Sequence, residues 1–182
     1  MAIQNLLHFD VTINENDELI WTYQCKIITS FLSHTFYPEW RFVPKSFIKS
    51  YIYYIKYARE RNLYQYNHPP IWGWLCKRRK YFDLELGELL LSESQIDSGI
   101  LLLALAIPKN MLLLSDYDKW NSLMDKIICQ EQIVDNDKRI FLTKCKKSYC
   151  QVTFPEIRSQ WIKGIWKVYK NNNELCYQPI FQ

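Results

Sequence analysis

Two short stretches set cations beside aromatic rings, the combination that grips a phosphate backbone while stacking on its bases. Lys77, Arg78, Arg79 and Lys80 run consecutively between Trp74 and Tyr81, and Lys144, Lys146 and Lys147 precede Tyr149. The plain alternative for the same residues is solvated loop charge, as basic runs usually are, and a net charge of +4 over 182 residues does not by itself support nucleic-acid binding. A second group carries hydrogen-bonding side chains. Thr22 and Gln24 stand two positions apart and so share one face of a strand, with a solvent-facing strand surface as the plain alternative. Trp72 and Trp74 have the same spacing, and the pair is either core or the wall of a pocket. Aromatic residues make up 16% of the chain, with seven Trp and thirteen Tyr, more than an average core needs, so that some rings either line a cleft or an interface or simply pack as core.

Other chemistries lack their residues. Only four glycines occur, and neither GxGxxG nor GxxxxGK[ST] is present, so the usual phosphate-cradling loops are excluded. The six cysteines, at 25, 76, 129, 145, 150 and 176, include no Cys-x-x-Cys pair, and His8, His34 and His68 are scattered, so no metal site is expected. A Cys-His nucleophile pair has no support either, since such partners meet in space and not in sequence. The first residues include Asn, His and Asp in place of a basic-then-apolar leader, and the expectation is a cytoplasmic protein with reduced thiols. A hydrophobic content of 48% suffices for one compact domain.

The elements that position these residues are clearest between Ile100 and Trp120. Ile100 to Ile107 is eight apolar residues, too short for a bilayer and too continuous for a strand wetted on one side, so it reads as a central strand covered on both faces. Pro108 and Asn110 turn the chain, Met111 to Leu114 gives a second strand, and Ser115 with Asp118 supplies the Ser-x-x-acid signature of a helix start. Trp120, Leu123, Met124, Ile127 and Ile128 then form one stripe of that helix. Earlier, residues 1 to 17 read as an arm or a short edge strand, and Glu18 to Tyr23 as a strand. Pro44 opens a helix to about Asn62 whose apolar face holds Phe47, Ile48, Tyr51, Ile52, Ile55 and Ala58, while Lys45, Lys49, Lys56 and Arg59 cover much of the rest. Ile71 to Trp74 is a short strand after Pro69-Pro70. An acidic loop at Asp135 to Asp137 precedes two strand-like stretches, Arg139 to Thr143 and Tyr149 to Phe154. After Pro155, Trp161 to Trp166 permits either a last helix or a turn and a closing strand, Ile165 to Tyr169.

Taken in order, Trp21-Thr22-x-Gln24, Ser50-Tyr51, Pro70-Ile71-Trp72-Gly73-Trp74, the strand ending at Pro108, Leu113-Leu114-Ser115-Asp116-Tyr117-Asp118-x-Trp120, Arg139-Ile140-Phe141 and Gln151-Val152-Thr153-Phe154 resemble the bacterial family called domain of unknown function 3841. The resemblance covers about residues 18 to 170, departs from the expected Trp at Asp137 and Lys138, and carries no assigned activity. More distantly, the layout is similar to ADP-ribosyltransferases that modify DNA bases. That likeness implies a single α+β domain with a split or mixed central sheet, helices packed on it, an arm at 1–17, a core at 18–170 and a tail at 171–182. It implies NAD held by Thr22, Gln24, Tyr51, Trp72 and Trp74, and a nucleic-acid or protein acceptor guided by Arg78 and Arg79. Thr22 and Gln24 stand where those enzymes carry a His or Arg and then a Thr, and Gln151 stands where they carry a catalytic glutamate. Gln151 and Thr22 are then the catalytic candidates. A neutral amide lacks the charge that stabilises an oxocarbenium-like transition state, and loss of such a partner costs about 10²- to 10³-fold in rate. Glu156 would be the substitute acid, with a surface role as its alternative. The other function class is a catalytically silent module that binds a protein or nucleic acid in phage defence, counter-defence or a toxin-antitoxin pair.

Overall fold

In the computed structural model, residues 6–76, 81–147, 149–172 and 174–181 are described. In chain order they form β1 (Leu6–His8), β2 (Asp17–Cys25), α1 (Ile48–Arg59), β3 (Ile71–Cys76), β4 (Tyr81–Asp83), α2 (Glu85–Leu90), α3 (Glu93–Ser98), β5 (Ile100–Pro108), β6 (Leu113–Ser115), α4 (Tyr117–Ile128), β7 (Tyr149–Phe154), β8 (Ile162–Asn171) and β9 (Glu174–Phe181). The fold is α+β and its sheet mainly antiparallel. Residues gather into two compact units, one of Met1–Phe36, Gly73–Lys109 and Ile157–Gln182, the other of Tyr37–Trp72 and Asn110–Glu156.

The first unit is built on β5. Every residue from Ile100 to Ile107 is buried, as a strand with both neighbours paired and both faces covered requires. β2 pairs antiparallel with it along its length, from Asp17 opposite Pro108 to Cys25 opposite Ile100, and β8 takes the other side with Ile100 opposite Val168. β2 also pairs Trp21 with Trp74 of β3. Trp21 is fully buried, 5.1 Å from Phe82 and 5.5 Å from Trp166. Of the two readings for residues 1 to 17, the short strand is the one formed, since residues 6–8 pair with β4; the stretch assigned to a tail instead supplies β9, which pairs with β8. The chain reverses at Asn172, whose φ of 50° is a left-handed conformation that asparagine tolerates. The hydroxyl of Tyr177 on β9 then bonds that of Tyr23 on β2 at 2.8 Å.

The second unit packs α1 and α4 around Tyr54, Ala58, Leu123 and Ile140, all with no exposed surface. A 3-10 turn at Lys45–Phe47 follows Pro44, and α1 ends at Arg59, where the Leu63 amide reaches back to the Ala58 carbonyl at 2.9 Å and Asn62 has φ 57°. The α4 cap is Asp116, whose carboxylate accepts from the Lys119 amide, and not Ser115: Ser115 is the last residue of β6 and is buried. The α4 stripe holds at Trp120 and Leu123 but ends before Ile128, which is 41% exposed. Arg139 to Thr143 forms no strand; Phe141 makes a single bridge to Ser115, with the Asp116 and Leu142 amides bonded to the Ile140 and Leu114 carbonyls. Cys145 and Cys150 are joined in a disulfide, against the expectation of reduced thiols; the bond closes the basic loop onto the first residues of β7.

Candidate functional site

Alternation along β7 sends Gln151 and Thr153 to one face, and both are buried. β6 lies antiparallel beside it with Ser115 opposite Gln151, so that the Ser115 hydroxyl donates to Gln151 Oε1 at 3.1 Å. Thr153 meets the hydroxyl of Tyr54 from α1 at 2.8 Å. Tyr54 is wholly buried, and that burial pushes its phenol well above the ordinary value. The four side chains form a neutral, closed polar cluster. It holds groups in place by hydrogen bonding and offers neither a base active near neutrality nor a negative charge.

One turn before Tyr54, Tyr51 lies 5.7 Å from Trp72, and Trp72 stacks on Trp120 at 5.3 Å and 18°. Tyr54 touches both Trp72 and Trp120, at 5.0 and 5.1 Å. Burial raises the Tyr51 phenol to about 12, partly opposed by Trp72. Of the residues expected to hold a nucleotide, Tyr51 and Trp72 are thus brought together, with each other's rings and Trp120 as neighbours. Ser50, on the same turn, is fully buried with its hydroxyl unpaired.

Thr22, Gln24 and Trp74 belong to the first unit. Thr22 has no exposed surface, which overturns its solvent-facing alternative, and its hydroxyl accepts from Gln24 Nε2 at 2.8 Å. The plain alternative for Gln151, an edge residue capped by solvent, is overturned by its burial and its bond to Ser115. Glu156 is a further correction: it is 3% exposed, the one carboxylate among the described buried side chains, because the chain stays covered from Gln151 through Ile157 and does not emerge at Pro155. Arg78 and Arg79 lie outside the described residues.

Sequence reasoning missed Ser115, Tyr54 and Thr153 as members of one cluster. The available signal was weak: Gln151-x-Thr153 is a polar alternation, but Ser115 is also a good helix cap and Tyr54 an ordinary core aromatic. Among the described residues no group of three or more His, Cys, Asp or Glu is placed to hold a metal ion, and no helix is long and apolar enough to cross a membrane. No family model, no curated protein and no solved structure matches the chain.

Proposed function

We propose that this protein is a binding module that recognises a nucleic-acid or protein partner without transferase chemistry. One observation carries the reading: Gln151, at the position where the resembled enzymes need a carboxylate, is uncharged and has its carbonyl engaged by Ser115 inside a buried cluster. Loss of a preorganised charge there lowers a rate by about 10²- to 10³-fold. The rings that the resemblance assigns to NAD in this unit, Tyr51 and Trp72, pack as core around Trp120.

A second reading has its own observation. The burial of Glu156 is what a displaced catalytic carboxylate would show, and it supports a divergent ADP-ribosyltransferase that binds NAD. NAD separates the two. A ligand at 100 times its dissociation constant adds about 2.7 kcal/mol of stability and raises the melting temperature. The module predicts no shift that Glu156→Gln abolishes and no transfer of label from NAD to nucleic acid or protein. Transfer that disappears in Glu156→Gln refutes it.

A further inference from the structure

The outer face of α1 carries a hollow that none of the Gln151 cluster side chains line. Tyr53, Lys56 and Glu60 follow one another at helical spacing, and with Arg61, Asp135 and Lys138 they enclose about 350 Å³. Tyr57 forms its floor. That ring is buried, stacks on Phe141 at 5.6 Å and 16°, and carries the Arg61 guanidinium 3.6 Å above it. A guanidinium held over a ring is fixed in position while its N–H fork stays suited to two phosphate oxygens. Arg61 itself is exposed, and neither it nor Lys56 forms an ion pair among the described residues. The opposite wall is fixed as well: Lys126 bonds both carboxylate oxygens of Asp137 at 2.8 and 2.9 Å, and Asp137 accepts the Val134 amide, which holds the loop bearing Lys138. Tyr53 is half-buried and near-parallel to Tyr57 at 6.3 Å and 25°, so it offers a ring for stacking beside the cations.

We propose that this hollow binds a nucleoside phosphate unit, with Arg61 and Lys56 on the phosphate and Tyr53 under the base, while Lys138 on the far wall is paired with Asp135 at 2.8 Å. The volume is near the lower end of ligand sites, which run from about 300 to 1,000 Å³, and suits one nucleotide unit and not a dinucleotide. A neighbouring hollow of about 400 Å³ shares Lys56 and Glu60 and is walled by Trp40 and Ile52, so the unit has a path by which to continue into a strand. The inference deepens the binding-module reading and rests on it.

The test titrates the full chain with adenosine monophosphate, inorganic phosphate and a single-stranded oligonucleotide of about eight nucleotides, within the range one small domain covers. Both nucleotide probes should bind, and phosphate about tenfold more weakly, since it lacks a base to stack. Arg61→Ala and Tyr53→Ala should each weaken the nucleotides about tenfold or more, with Tyr53→Phe close to wild type. An oligonucleotide preferred over the monophosphate assigns the unit to nucleic acid; equal affinity assigns it to a free nucleotide. The inference is overturned if no probe binds at low salt, if phosphate binds as tightly as the nucleotides, or if Arg61→Ala and Lys56→Ala proteins with native circular dichroism bind like wild type. NAD transfer lost in Glu156→Gln would sink the module reading and leave nucleotide binding at Arg61 intact, so the two failures are separable.

Discussion

Replacing Gln151 by Glu tests whether the space around Ser115 is closed to water. The substitution keeps the oxygen that accepts from the Ser115 hydroxyl and exchanges the amide nitrogen for a second oxygen, so volume and shape are almost unchanged. Its bonded partner Ser115 is buried and uncharged, as are Thr153 and Tyr54, which bond each other. Burial without a cation raises a carboxyl above its usual value of about 4.3, and a rise of about two units amounts to about 3 kcal/mol of lost stability near neutral pH. The sign follows from linkage. With the folded value raised to about 6.3, the loss is absent below about pH 4, where both states are largely protonated, grows as pH rises, and is complete above about pH 7. Urea unfolding of the two proteins should nearly coincide at about pH 4 and separate at about pH 7.5 by about 1.5 M in midpoint, for a slope of about 2 kcal/mol per molar. Coincident curves at both pH values would mean a solvated carboxylate and an open site. That result would refute the closed-cluster argument and favour the transferase reading.

Tyr54→Phe leaves the Thr153 hydroxyl buried without its partner and should cost about 1–3 kcal/mol in chemical unfolding; a variant as stable as wild type would show that the bond of 2.8 Å adds nothing. Alkaline pH should destabilise the fold: Tyr51 rises from 10.0 to about 12, so its contribution is intact below pH 10 and falls by about 3 kcal/mol as pH passes through 12. Stability followed across that window in wild type and Tyr51→Phe checks this, and identical alkaline profiles would remove Tyr51 as a source of the loss.

How far the chain was legible follows from the length and burial of each element. β5 was legible because a continuous apolar run admits few other readings, and β7 because Pro155 and the basic loop bound it on both sides. α2 and α3 went unread since six residues are under two turns and show no period, although Ser92 and Gln95 form a capping box that marks the start of α3. β9 was taken for a tail because it is half exposed and contains Pro179, which demotes a strand by local rules; its pairing to β8 and the Tyr23 bond are long-range. Gln151 was marked only through resemblance, and its partner Ser115 is 36 residues away in a stretch whose local signals all favoured a helix cap. Local pattern carries no information about which polar residue will face which.

The two faces of α1 then explain why one helix serves both architecture and the proposed site. Polar residues on the buried face of β7 gain little net stability over aliphatic ones, but they specify register: a slip of one residue would set Val152 against Ser115 and leave the hydroxyls of Ser115, Thr153 and Tyr54 without partners in a dry interior. Tyr54 locks that register from the inner side of α1. One residue before it, Tyr53 points along the outer side with Lys56, and Tyr57 beneath Arg61 packs on Phe141, which itself touches Tyr54 at 5.2 Å. A change that loosens the Tyr54 cluster therefore acts on the floor under Arg61 through Phe141, so Tyr54→Phe should weaken nucleotide binding while touching none of the residues that line the hollow.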